Sequence, residues 1–160
     1  MTVIPSDITT VKDYGRIFAH EPEIVDRAQR IADLAKDVTE LLADIGLNAP
    51  ASVTPLAIAY HDACSLQHTQ KVIRPPRDLL RDAGFIVRDV PEAHFCCGSA
   101  GAYNMLQPVI ARDLGIRKAG HIESTGAAAI AAGNLGCLTQ LALYTNLPTL
   151  HTVELLDWAT

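Results

Sequence analysis

The stretch Pro55-Leu56-Ala57-Ile58-Ala59-Tyr60-His61-Asp62-Ala63-Cys64 decides how the chain is read. Its first six residues are a short apolar run bounded by turn formers, the pattern of a strand buried on both faces. A cysteine follows that run by four residues, and the arrangement returns twice. Phe85-Ile86-Val87-Arg88-Asp89-Val90 is a β-branched second strand leading to Cys96-Cys97, and Ala127 to Ala132 is a small buried third strand leading to Cys137. Between them, Pro76 to Gly84 reads as a short helix closing on glycine, Pro108 to Ala119 as a helix with proline at its start, and Leu138 to Tyr144 as another helix. Thr149 to Leu155 supplies a last strand. Strands alternating with helices in units of this size predict a parallel sheet with right-handed crossovers and helices on both faces, a three-layer α/β domain.

Upstream of the Ala49-Pro50 break the pattern differs. Ile24, Ala28, Ile31, Ala35, Val38, Leu42 and Ile45 recur at spacings of three and four, with acidic and basic residues between them. This predicts one long amphipathic helix of about six turns, with Pro22 in its first turn and Gly46 as its stop. Residues 1–50 are therefore expected to be a linker and helix packing on a cysteine-rich domain over residues 51–160.

Composition narrows the function classes. The chain has 160 residues, 49% hydrophobic, 19% charged and 5% aromatic, which excludes collagen-like and disordered classes and gives no transmembrane segment. Thirteen Lys and Arg against 18 Asp and Glu leave a net charge of −5, and no basic cluster interleaves with aromatics, so nucleic acid is not an expected partner. Four cysteines are too few for a small secreted disulfide framework, and the start lacks the pattern of an export signal. The expected setting is cytoplasmic and reducing, where clustered thiols more often mean metal or redox chemistry.

The cysteines follow the pattern Cys-x31-Cys-Cys-Gly-x38-Cys. In an open parallel sheet, ligand sites lie beyond the carboxyl ends of the strands, so three separate strand ends bring Cys64, Cys96, Cys97 and Cys137 toward one place. The spacing is not that of a zinc ribbon. Adjacent cysteines need a sharp backbone turn to direct both sulfurs inward, which Gly98 and Gly101 permit, and such a loop also brings backbone N–H groups near sulfur. Four thiolates suit an iron–sulfur cluster, a zinc ion or, as a Cys96/Cys97 dithiol, a redox switch; buried inert cysteines are the remaining reading. His61 and His94 flank the cysteines as an extra ligand, a proton relay or a hydrogen-bonding group. Tyr103 and Asn104 are read as structural, and Lys71, Arg74, Arg77 and Arg81 as a solvated helix face.

The segments Tyr60-His61-Asp62-Ala63-Cys64, Cys96-Cys97-Gly98-Ser99-Ala100-Gly101-Ala102-Tyr103-Asn104-Met105-Leu106-Gln107-Pro108 and Gly133-Asn134-Leu135-Gly136-Cys137-Leu138-Thr139-Gln140 resemble the cysteine-rich CCG domain. The likeness is strongest to the C-terminal such domain of glycolate oxidase iron–sulfur subunits, with lactate-utilisation iron–sulfur proteins and the B subunit of heterodisulfide reductase as more distant relatives. Thr10-Val11-Lys12-Asp13-Tyr14-Gly15 resembles the segment joining that family's two cysteine-rich domains.

The resemblance implies a Rossmann-like domain that binds an iron–sulfur cluster, [4Fe–4S], through Cys64, Cys96, Cys97 and Cys137, with His61, Gly98 and Gly101 around it. It implies an electron-transfer module of a 2-hydroxy-acid oxidising complex, non-catalytic by itself. Its partners would be flavoprotein subunits and a ferredoxin-like domain, and the inner face of the membrane would be reached only peripherally, through the complex. A heterodisulfide-reductase-like catalytic domain, or a zinc-bound or empty structural module, are the alternatives. Three departures from the family stand out: Gln140 replaces the last cysteine of its fullest pattern, the ferredoxin-type cysteine runs are absent, and Ser6-Asp7-Ile8-Thr9 carries no cysteine. The chain is therefore expected to be the C-terminal part of a larger subunit or a stand-alone relative.

Overall fold

The computed structural model describes residues 5–48 and 55–160. The Ala49-Pro50 break, and with it the expected boundary between residues 50 and 51, lies outside them. Four strands, β1 (Ala57–His61), β2 (Ile86–Asp89), β3 (Ala129–Ala132) and β4 (Thr149–His151), form one all-parallel sheet in the order β2-β1-β3-β4. The helices are α1 (Pro5–Lys12), α2 (Tyr14–Ile17), α3 (Val25–Leu34), α4 (Val38–Ile45), α5 (Arg74–Asp82), α6 (Tyr103–Leu106), α7 (Pro108–Glu123), α8 (Leu135–Leu141) and α9 (Thr152–Ala159).

Strand alternation divides the core into two halves. On one face Ile58, Tyr60, Ala129 and Ala131 pack with Leu79 and Leu80 of α5 and Leu155 and Leu156 of α9. On the other, Ala59 and Ile130 pack with Leu66, Ile122 of α7 and Leu141 of α8, and Cys97 and Cys137 belong to this second half. The three-layer α/β arrangement is thus the one expected. Burying each of these large aliphatic side chains contributes about 1.5–3 kcal/mol. β1, hydrogen-bonded on both edges, is buried from Ile58 to His61, as its unbroken apolar run requires.

The single long lead-in helix is corrected to two, α3 and α4, broken at Ala35-Lys36-Asp37. Asp37 is extended, with ψ 150°, and caps α4: its Oδ1 accepts from the Thr39 N–H at 2.9 Å and from the Thr39 hydroxyl at 2.6 Å. Glu40 Oε2 returns the bond by accepting from the Asp37 N–H at 2.8 Å, which closes a capping box. The apolar spacing runs through the break because periodicity does not register a cap. Leu42 of α4 and Leu47 pack against the first half of the core. Asp37→Ala is expected to lower stability by about 1 kcal/mol in urea unfolding, with an unchanged m-value.

Two later boundaries also shift for reasons of capping. Asn134 Oδ1 accepts from the Cys137 N–H at 3.2 Å, which starts α8 at Leu135, three residues earlier than the apolar pattern indicates. His151 Nδ1 accepts from the Val153 N–H at 3.3 Å and Glu154 Oε2 from the His151 N–H at 2.6 Å, so β4 gives way to α9 at Thr152.

Candidate metal centre

Alternation along β1 directs His61 to the same face as Ala59, toward the half of the core that holds Cys97 and Cys137. Three residues past the strand, Cys64 opens a π-helical turn over Ser65–Gln70 that ends on Lys71 at φ 62°. Such turns are rare and recur at functional sites. Cys96 and Cys97 lie on the loop after β2, and Cys137 lies in the first turn of α8 beyond β3.

These strand ends bring all four cysteines to one open cavity of about 390 Å³, which Ser99, Gly101 and Asn134 also line. Cys97 and Cys137 are buried, while Cys64 and Cys96 are partly exposed toward the cavity. Gly98 makes the adjacent pair workable. It holds φ 90°, and its N–H donates to Cys96 Sγ at 3.3 Å. A Cβ at Gly98 would meet the Ala111 carbonyl oxygen at 2.3 Å, so α7 approaches the turn more closely than a side chain allows. After Ser99, Ala100 at φ 38° and Gly101 at φ 63° also take positive φ.

Neighbouring thiols perturb one another in the order Cys64, Cys96, Cys97, Cys137. Cys64 is pushed up by donating its proton toward Cys96 and by burial, and Cys97 by donating toward Cys137 and Cys96 and by burial. Cys96 is correspondingly driven down by the thiols of Cys64 and Cys97 and by the Gly98 N–H. Cys137 is driven down by the Cys97 thiol. A soft cation binding these sulfurs would displace the thiol protons.

His61 supplies an independent observation. It is 1% exposed, and neither ring nitrogen has a hydrogen-bonding partner among the described residues. A ring nitrogen of His61 and the sulfurs of Cys97 and Cys137 lie within 4.8 Å of one another. A buried imidazole without a partner is costly, and a bound metal or the sulfides of a cluster would satisfy it. The donor set therefore fits a thiolate-bound metal group, with Cys64, Cys96, Cys97 and Cys137 as candidate ligands and His61 beside them.

Not every expectation about neighbouring residues holds. Arg77 is not on a solvated face: its Nη2 donates to Asp62 Oδ2 at 2.7 Å, both side chains are largely buried, and its guanidinium lies 5.0 Å from the Tyr60 ring centroid. Burial pushes the Asp62 carboxyl up, and Arg77 opposes this. Asn104 is structural, as expected, because its Nδ2 donates to Gln140 Oε1 at 3.2 Å. Gln140 is 3% exposed and also donates to the Ala111 carbonyl at 3.2 Å, so it ties α8 to α6 and α7 in place of a fifth thiol. Lys118, 1% exposed on the inner face of α7, escaped the sequence reading although it falls in the stripe of Ala111, Gly115, Ala119 and Ile122.

Comparison with known proteins agrees with this geometry. The family model of the CCG cysteine-rich domain matches residues 58–142, the segment from β1 past α8. The chain is 36% identical over 149 residues to the glycolate oxidase iron–sulfur subunit of Escherichia coli, covering 93% of this chain and 37% of that protein. It is 29% identical over 134 residues to the probable glycolate oxidase iron–sulfur subunit of Bacillus subtilis, covering 82% and 30%. It is 27% identical over 138 residues to lactate utilization protein A of Oceanobacillus iheyensis, covering 85% and 57%. The chain thus spans about a third of the first two relatives and somewhat over half of the third. From the motif-bearing loops and the extent of this match, the chain belongs to the CCG cysteine-rich domain family.

Proposed function

We propose that the chain is an iron–sulfur electron-transfer module of a complex that oxidises a 2-hydroxy acid, with Cys64, Cys96, Cys97 and Cys137 holding a [4Fe–4S] cluster. The carrying observation is the convergence of four thiols from three strand ends on one cavity. The relatives named as iron–sulfur subunits support the cofactor, and the glycolate oxidase names support the substrate class. When bound, the cluster would accept and release single electrons. The protein's part is to supply the thiolates, to aim the Gly98 N–H at sulfur, and to keep the inner side of the site dry through Leu66, Ile122 and Leu141.

The partners we infer are a flavoprotein subunit as electron donor and a ferredoxin-like part of the subunit beyond the matched region, passing electrons toward a membrane or quinone acceptor. Met105 (76% exposed), Leu106 and Val109 are exposed apolar residues that begin four positions after Gly101 of the cavity loop, and we assign them to contact with that ferredoxin-like part. Among the described residues no helix is long and apolar enough to cross a membrane, so any membrane contact is assigned to the complex. The setting we infer is cytoplasmic.

A second reading rests on the close set of His61, Cys97 and Cys137, which suits a single zinc ion. Electron transfer separates the two. Anaerobically reconstituted protein, mixed with the flavoprotein subunit and a 2-hydroxy acid, is expected to lose its visible thiolate-to-iron absorbance and regain it with an oxidant. Colourless protein holding one zinc would favour the second reading.

A further inference from the structure

The pairing of β1 with β2 ends at Tyr60 and its pairing with β3 at His61, yet the alternation of faces runs on past the strand. Tyr60 belongs to the first half of the core, whereas Ala59 and Ala63 belong to the second half, with Cys97 and Cys137. Asp62 stands between them on the Tyr60 side, and Arg77 of α5 meets it there. The Arg77 Nη2 donates to Asp62 Oδ2 at 2.7 Å while the guanidinium lies 5.0 Å from the Tyr60 ring centroid. The same Nη2 is 3.7 Å from Oδ1 of Asp89, the last residue of β2 and the register partner of Tyr60. One guanidinium thus spans the carboxyl ends of the two strands that lead to Cys64 and to Cys96.

The Arg77 and Asp62 side chains are 12% and 3% exposed. Taking two charges out of water offsets most of what their attraction gains, and a well-packed apolar pair of similar volume is as stable or more so. Stability therefore does not account for the pair. What an apolar pair lacks is direction, because a guanidinium laid on a ring and bonded to a carboxylate oxygen fixes where that carboxylate sits. Asp62 directly follows His61, whose ring nitrogen and the sulfurs of Cys97 and Cys137 lie within 4.8 Å of one another. It also stands two residues before Cys64, where the π-helical turn begins. With Asp62 held toward α5, the chain cannot slip or roll by a residue, so His61 keeps facing the cysteines and the start of the turn is set.

We propose that Arg77 is a positioning residue of the metal centre: by pinning Asp62 toward α5 it presents His61 and Cys64 to the cavity in the arrangement that a metal group requires. This rests on the cavity being a metal centre, and holds for a cluster and for zinc alike.

Anaerobic cobalt(II) titration of the whole chain tests it, since cobalt(II) reads the thiolate set without cluster assembly. The double variant Asp62→Val with Arg77→Met removes both charges and leaves neither unpaired. It is expected to fold as the parent does by circular dichroism, with a urea midpoint no lower, yet to bind cobalt(II) about tenfold more weakly and with a weaker thiolate-to-cobalt charge-transfer band. Arg77→Lys keeps a cation beside Asp62 and is expected to stay within about threefold of the parent, with the band retained. Parental affinity in a folded double variant would overturn the assignment, as would a double variant that fails to fold, which makes the pair structural. Cobalt(II) affinity that depends on the pair, in a protein that assembles no iron and sulfide, sustains the assignment and removes the cluster. A parent that binds no cobalt(II) overturns the metal centre and the assignment together.

Discussion

Gly98→Ala is expected to abolish metal retention and to lower stability by more than about 2 kcal/mol. Two independent effects add. At φ 90° an alanine is strained, by about 1–2 kcal/mol. Its Cβ would also lie 2.3 Å from the Ala111 carbonyl oxygen and 3.1 Å from the Ala111 Cα, both backbone atoms of α7 that no rotamer change can move aside. The turn must therefore shift, which breaks the Gly98 N–H bond to Cys96 Sγ and disturbs the Ala111 carbonyl that accepts from Gln140. Gly101→Ala is the control. Gly101 shares a positive φ of 63°, but nothing lies within 4 Å of its Cβ position, so the expected loss is about 1 kcal/mol with near-parental metal content. Iron per chain after desalting, together with urea midpoints, distinguishes the pair. Equal behaviour of the two alanine variants would show that the close approach of α7 does not matter.

Cys97→Ser is expected to lower metal affinity by more than tenfold, the largest effect among the four cysteines. Cys97 is 1% exposed, lines the cavity with the other three cysteines, and is one of the two thiols within 4.8 Å of a ring nitrogen of His61. Serine is close in size, so the metal-free fold should lose only about 1 kcal/mol, whereas a hard hydroxyl is a poor replacement for a soft thiolate. The consequence appears in linkage. Metal bound by the native state alone raises stability with its concentration, so the parent's thermal midpoint should climb on metal addition and that of Cys97→Ser should stay flat. Cys64 is partly exposed, and Cys64→Ser is expected to retain a weaker but measurable response.

What the sequence discloses of this site follows from which physical signals are local. The strands are legible because burial on both faces demands unbroken apolar runs, and β1 and β3 supply them between turn formers. The convergence of the cysteines is legible for a topological reason: parallel strands share one carboxyl end, so residues a few positions past each strand meet there. The broken lead-in helix had a local signal too, Asp37 followed by Glu40, but the apolar stripe continues through it and periodicity dominates the reading. Charge misleads where burial is tertiary. Arg77 and Lys118 carry no local mark of their buried partners, because Asp62 and Glu92 reach them only after the sheet has formed. The π-helical turn after Cys64 is equally silent in sequence, since its residues read as an ordinary polar loop.

Counting iron and acid-labile sulfide in anaerobically reconstituted protein tests most directly whether the four thiolates hold an iron–sulfur cluster. About four of each per chain are expected, both lost in Cys97→Ser. One zinc per chain with neither iron nor sulfide, or iron retained in full by Cys97→Ser, would contradict it.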